Sequence, residues 1–263
     1  VLPGWPQFPI DFIGGGDPTN PGGPDGHSDG VLGSPAIGDI TGDGVPEIVY
    51  GANDQRVYAK AIDGQDLPGW PQWILDTVWA SPSIADIDGD GINEAVIGVD
   101  AHFYRGPPRF TEDGGDLYVF KGNGDILWRA SQDEIFQSST AVADLTGDGI
   151  PEIAAGTGTF YGDLGRVNAN GERVGQYFTV WKNNGDILWR TPLPERVFGS
   201  PAVGDINGDG KPEVVVGALN GRVYAFNGAT GQILWSTLAR DIFNNQFLPN
   251  PQVFSPILGD YTG

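Results

Sequence analysis

Asp86-Ile87-Asp88-Gly89-Asp90-Gly91-Ile92-Asn93-Glu94 is the stretch from which the rest of the chain is read. The same nine-residue pattern stands at Asp39-Ile40-Thr41-Gly42-Asp43-Gly44-Val45-Pro46-Glu47 and at Asp144-Leu145-Thr146-Gly147-Asp148-Gly149-Ile150-Pro151-Glu152. A fourth copy is Asp205-Ile206-Asn207-Gly208-Asp209-Gly210-Lys211-Pro212-Glu213, and a fifth opens at Asp260-Tyr261-Thr262-Gly263. Oxygen-bearing side chains fall at positions 1, 3, 5 and 9, and the glycine at position 6 lets the chain turn sharply. Such spacing wraps oxygens around a hard cation, and calcium takes about six to eight of them. Position 7 would add its backbone carbonyl, from Val45, Ile92, Ile150 and Lys211. A single copy reads equally well as a solvated acidic turn, since Asp and Gly are ordinary turn residues. Turn chemistry does not demand Asp at 1, Asp-Gly at 5 and 6 and Glu at 9 in every copy. The expectation is therefore one Ca2+ per complete loop, four in all. Asp88 and Asn207 are stronger third ligands than the neutral hydroxyls of Thr41 and Thr146, so loops 86–94 and 205–213 are expected to be the better sites.

Outward from each loop the sequence keeps one plan. A short apolar run leads into the first Asp, as in Ser34-Pro35-Ala36-Ile37-Gly38, Ser81-Pro82-Ser83-Ile84-Ala85, Ser139-Thr140-Ala141-Val142-Ala143 and Ser200-Pro201-Ala202-Val203-Gly204. A β-branched run follows the Glu (Ile48-Val49-Tyr50, Ala95-Val96-Ile97, Ile153-Ala154-Ala155, Val214-Val215-Val216), then an aromatic-alternating strand such as Leu117-Tyr118-Val119-Phe120. A tight Asn/Gly turn leads to a fourth strand at Ile126-Leu127-Trp128, Ile187-Leu188-Trp189 and Ile233-Leu234-Trp235. Such turns suit the twist of a β-hairpin. No sustained helical period appears.

The first loop Asp recurs at intervals of 47, 58, 61 and 55 residues (Asp39, Asp86, Asp144, Asp205, Asp260). Four strands per unit at such a period describe propeller blades, which bury their faces by stacking on one another. The chain is thus expected to be all-β, one propeller of four-stranded antiparallel blades. Blade 1 spans 34–75, blade 2 80–130, blade 3 138–191 and blade 4 199–237, with the start of a fifth at 254–263. Residues 1–12 repeat the Leu-Pro-Gly-Trp-Pro phrase of Leu67–Pro71 and read as the last strand of a closing blade. Residues 13–30 have loop composition. Trp70, Trp128, Trp189 and Trp235 hold equivalent places and are expected to pack between blades. Two stretches lengthen the period, 99–113 and 158–173. Their Phe, Tyr, His and Arg content suits recognition, and packing on their own blades explains them equally.

Lys and Arg number 14 against 34 Asp and Glu, a net charge of −20. That balance argues against a nucleic-acid partner, because phosphates need basic patches. Thirteen of the acidic residues lie in the four complete loops. With no cysteine there is no disulfide or thiol chemistry. No apolar run approaches a membrane span, so direct membrane insertion is not expected. Loops that need calcium suit an extracellular, cell-surface or periplasmic setting, where calcium is plentiful. The absence of methionine and the final partial motif point to a processed product or fragment, part of a seven-bladed or similar propeller.

The phrase Ser-Pro-x-Ile-x-Asp-Ile-x-Gly-Asp-Gly-x-x-Glu-Ile-Val-x-Gly resembles the FG-GAP repeat, the calcium-loop blade of integrin α-subunit propellers. It is also similar to the VCBS-type repeats of bacterial and archaeal surface proteins. The resemblance covers nearly the whole chain and implies a propeller with calcium held at loop positions 1, 3, 5, 7 and 9. Carried over, the ligands are Asp39, Thr41, Asp43, Val45 and Glu47, then Asp86, Asp88, Asp90, Ile92 and Glu94. The third set is Asp144, Thr146, Asp148, Ile150 and Glu152, the fourth Asp205, Asn207, Asp209, Lys211 and Glu213, and Asp260 would open a fifth. Separately, Ala225-Phe226-Asn227-Gly228-Ala229-Thr230-Gly231-Gln232-Ile233-Leu234-Trp235 resembles the tryptophan-docking repeat of quinoprotein propellers; it is read as a shared blade solution, without a quinone cofactor.

The functional expectation is a secreted or surface calcium-stabilised binding module for a glycan or protein ligand, or for copies of itself. An architectural segment of a larger surface protein or filament is the alternative. The chain is read as a non-enzyme: only His27 and His102 are present, and neither a Gly-x-Ser-x-Gly elbow nor a metalloprotease motif occurs. A polysaccharide lyase or hydrolase is the enzymatic alternative.

Overall fold

Each β-branched run that follows a loop Glu becomes the second strand of a four-stranded antiparallel sheet in the structure, a computed structural model. It describes Gly4 and residues 30–74, 76–101, 114–158, 160–163, 165–167, 171, 174–238, 240–241, 246–247 and 255–259. The expectations for residues 1–12 (apart from Gly4), His27, His102 and Asp260 lie outside the described residues, as does most of the 99–113 stretch.

The chain divides into two compact units, Val1–Phe136 and Gln137–Gly263. The first holds β1 (Ala36–Gly38), β2 (Glu47–Ala52), β3 (Arg56–Lys60) and β4 (Gln72–Trp73), then β5 (Ser83–Ala85), β6 (Glu94–Ala101), β7 (Gly114–Phe120) and β8 (Ile126–Gln132). The second holds β9 (Ala141–Ala143), β10 (Glu152–Gly156), β11 (Tyr177–Trp181) and β12 (Ile187–Pro192). It continues with β13 (Ala202–Gly204), β14 (Glu213–Gly217), β15 (Arg222–Asn227) and β16 (Ile233–Leu238), plus the short β17 (Arg240–Asp241) and β18 (Gln246–Phe247). Within each four-stranded sheet the spatial order follows the sequence order. This is the blade architecture of β-propellers, with a single one-turn helix, α1 (Phe160–Asp163), among the described residues.

The second and third strands are buried along most of their length because neighbouring elements cover both faces, and their sequences run apolar without alternation. The outer strands β8 and β16 are far more exposed. In the first unit the apolar core joins two sheets: Val49, Val57 and Ala59 pack with Ala95, Ile97, Val99, Tyr118 and Phe120, closed by Trp70. In the second, Ala154, Phe178, Val180 and Trp189 pack with Val214, Val216, Tyr224 and Phe226. Two buried indoles satisfy their N–H on the next sheet, Trp70 Nε1 donating to the Gly122 carbonyl at 2.8 Å and Trp189 Nε1 to that of Gly228 at 2.7 Å. Trp235, on β16, is 43% exposed.

One expectation changes, and for the other lengthened stretch one of the two readings gains support. The 99–113 stretch is not loop from its start, since β6 continues to Ala101 and buries Val99 and Asp100. In the 158–173 stretch, α1 buries Tyr161 under the Arg166 guanidinium, 5.5 Å from the ring centre, while Arg196 reaches Asp163 at 3.3 Å. This part of the insertion is tied to its own unit. No helix among the described residues is long and apolar enough to cross a membrane.

Candidate metal centres

Antiparallel pairing of the first two strands fixes the ends of every loop. Gly38 faces Glu47, Ala85 faces Glu94, Ala143 faces Glu152 and Gly204 faces Glu213. The position-1 Asp follows directly on the first strand and the position-9 Glu opens the second, so the two carboxylates meet across one hairpin.

Backbone N–H groups then shape the loop around the position-1 Asp. In the first loop Gly42 and Gly44 donate to Asp39 Oδ1 and Oδ2 at 2.7 and 2.8 Å. Gly89 and Gly91 bond Asp86 in the same way, as do Gly147 and Gly149 with Asp144 and Gly208 and Gly210 with Asp205. These bonds hold the carboxyls of Asp39, Asp144 and Asp205 below the usual range, the position-6 glycine contributing most. The position-5 Asp turns back to cap the position-7 N–H, at 2.8–2.9 Å in Val45, Ile92, Ile150 and Lys211. Val45, Ile92 and Ile150 leave their apolar side chains exposed, so their place in the loop is a backbone one.

The Glu at position 9 is buried in all four loops. One oxygen accepts the position-2 N–H, from Ile40, Ile87, Leu145 and Ile206 at 2.7–2.9 Å. The other faces the loop interior, where Thr41 Oγ1 and Thr146 Oγ1 stand 3.5 Å away and Asn207 Nδ2 donates at 2.9 Å. Burial pushes the Glu47, Glu94 and Glu152 carboxyls up, and the neighbouring loop aspartates add to the shift.

Carboxylate oxygens of Asp39, Asp43 and Glu47 lie within 4.8 Å of one another, and so do those of Asp86, Asp88 and Glu94. Such a span suits oxygens on opposite sides of a cation with about 2.4 Å bonds. The donors are all oxygen, which favours calcium over zinc or a soft metal. Among the described residues no other group closes to that span. Asp90, the Asp144–Asp148–Glu152 carboxylates and the Asp205–Asp209–Glu213 carboxylates are therefore more widely spread; Asn207, on which the expectation for loop 205–213 rests, is not a member of these carboxylate groups.

Two features of the loops went unremarked in the sequence. Position 4 is a second glycine with positive φ, 75° at Gly42, 79° at Gly89, 81° at Gly147 and 79° at Gly208. Position 2 is an apolar anchor, with Ile40, Ile87 and Leu145 fully buried. Both were readable as invariants among the four copies.

The sequence profile of a family described as outer membrane protein assembly factor BamB matches residues 113–253, slightly more than half of the chain. Human integrin alpha-7 is 33% identical over 107 residues, covering 36% of this chain and 8% of the integrin. Among solved structures, BBS1N in complex with ARL6DN has a TM-score of 0.54 at 12% identity, over 90% of this chain and 62% of that one. BamB from Moraxella catarrhalis has 0.53 at 14%, over 83% and 53%. A europium-containing methanol dehydrogenase has 0.56 at 13%, over 84% and 44%. These likenesses show the propeller fold. The chain spans less than two thirds of the length of every one of these relatives.

Proposed function

Because the chain belongs to the outer membrane protein assembly factor BamB family of β-propeller repeats, we propose that it is a calcium-stabilised propeller module that binds a partner outside the cytosol. The observation that carries the calcium part is a hydrogen-bond pattern repeated in four hairpin loops, each with carboxylates at positions 1, 5 and 9. On this reading the loops are of FG-GAP type. Asp39, Asp86, Asp144 and Asp205 are pre-organised by backbone N–H groups, and the position-9 glutamates are locked by one oxygen and turn the other toward the loop interior. A bound calcium would supply the positive charge that three or four converging carboxylates otherwise lack.

A protein ligand is preferred. The family description names an assembly factor, and the similar BBS1N propeller is solved with a protein, ARL6DN. Those properties belong to those proteins and come to this chain as proposals. A glycan ligand and self-assembly remain alternatives of the same module, in the periplasm, on the cell surface or outside the cell. The methanol dehydrogenase shares the fold alone, and fold does not fix chemistry.

The test is a calcium titration of the whole chain followed by calorimetry, with a glycan and surface-protein binding screen in calcium and in chelator. About four bound calcium ions, at the roughly 0.1–1 mM affinities of extracellular modules, are expected. Absence of binding up to 10 mM calcium (an order-of-magnitude ceiling above that range) would overturn the calcium reading. Silence of a folded protein throughout the screen would favour an architectural role.

A further inference from the structure

Lys121 opens the β7–β8 turn, and its ammonium reaches the second loop: Nζ lies 2.8 Å from Asp88 Oδ2 and 3.8 Å from Asp90 Oδ2. These are loop positions 3 and 5. The second loop carries four carboxylates where the other three carry three each, and the additional one is Asp88, the residue Lys121 touches. Counting the lysine, the second loop has the same formal charge as the first and third, and the fourth carries its own Lys211 at position 7.

The fold holds this lysine in place. Its N–H donates to the Asp125 carbonyl and its own carbonyl accepts from Gly124, each at 2.8 Å. The next residue, Gly122, is wedged so closely on the Ile40 carbonyl that a Cβ would sit 2.0 Å from that oxygen, and it accepts the Trp70 indole. Residues at the same place in the other sheets act differently. Ala61, Lys182 and Asn227 stand there, Lys182 with the same turn bonds to Asp186 and Gly185, and among the described residues no Lys or Arg besides Lys121 lies within 4 Å of a loop carboxylate.

We infer that Lys121 is a built-in counter-cation that competes with calcium for Asp88 and Asp90 and weakens the second site. The inference rests on the calcium reading of the loops. Calcium–oxygen bonds run about 2.3–2.6 Å, so an ion sharing Asp88 Oδ2 with Lys121 would stand within about 5.4 Å of the ammonium. Like charges at that range repel, and the lysine must swing aside before the ion is fully bound. The second loop therefore stays closed on its own lysine at low calcium and fills at higher calcium than four carboxylates alone would require. An incidental surface ion pair would leave calcium affinity unchanged.

The test follows calcium binding to the full chain by the amide resonances of Gly44, Gly91, Gly149 and Gly210, one per loop. Lys121→Met is expected to tighten binding at Gly91 roughly three- to tenfold, as expected from removing one partly screened charge, and to leave the other three loops unchanged. Lys121→Arg, which keeps the charge, is expected to behave like the wild type. If Lys121→Met does not fold in calcium-free buffer, Lys121→Gln serves with the same expectation. An unchanged or weaker affinity at Gly91, with the other loops binding, overturns the inference and spares the calcium reading. No response at any loop of the wild type overturns both.

Discussion

Asp100 sits near the end of β6, 6% exposed, its Oδ1 without a hydrogen-bond partner. Burial first, then the negative charges of Asp76 and Glu134, push its carboxyl up to about 8, against a bond from the Phe136 N–H that lowers it. The folded pKa lies above the unfolded one, so folding takes up a proton between the two. This group's contribution is therefore greatest below about pH 4 and is lost as the pH rises to about 8. Asp100→Asn, an isostere of the protonated acid, should flatten that part of the profile. Between pH 5 and 8 the wild type should lose roughly 3 kcal/mol more than the variant in urea unfolding, an order-of-magnitude figure. Parallel profiles would mean that Asp100 is ionised in the folded protein.

At the scale of elements, one glycine in three of the second strands makes room for the chain that follows the sheet. Gly51, Gly98 and Gly156 end the Glu-x-x-x-Gly phrase that opens β2, β6 and β10. The segment entering the next sheet passes directly over each of them. A Cβ would meet Val78 at 2.2 Å, Phe136 at 2.8 Å and Val197 at 2.4 Å respectively. Val78, Phe136 and Val197 are fully buried, so no side chain can give way cheaply. Gly156→Ala should cost about 1–3 kcal/mol by overpacking. Adding Val197→Ala should recover part of it, because the two changes share one contact. Strictly additive losses in chemical denaturation would show that the two residues do not meet.

For the whole molecule the governing quantity is a net charge of −20, much of it gathered in loops whose carboxylates face one another. Four independent sites with dissociation constants near 0.1 mM would add about 5–6 kcal/mol of stability at millimolar calcium. That is comparable to the stability of a typical domain. Chelator should thus lower the melting temperature by roughly 10–20 °C, and adding back calcium should restore it. An identical melt in chelator, with metal content measured as zero, would mean that the loops stand on their hydrogen bonds alone.

The sequence by itself determined the strand order, the blade repeat and the residues that line each loop. These are local properties: a hairpin's register follows from its turn, and Asp at 1 with Glu at 9 must face each other once Gly38 pairs with Glu47. Tertiary structure decided what depends on neighbouring sheets. Only packing reveals that Gly98 makes room for Phe136 and that Asp100 belongs to a buried strand. The placement of Lys121 against Asp88, 33 residues earlier in the chain, is likewise invisible to spacing. It arises because the turn after the third strand lies beside the loop before the second, a contact that exists only once the sheet is assembled.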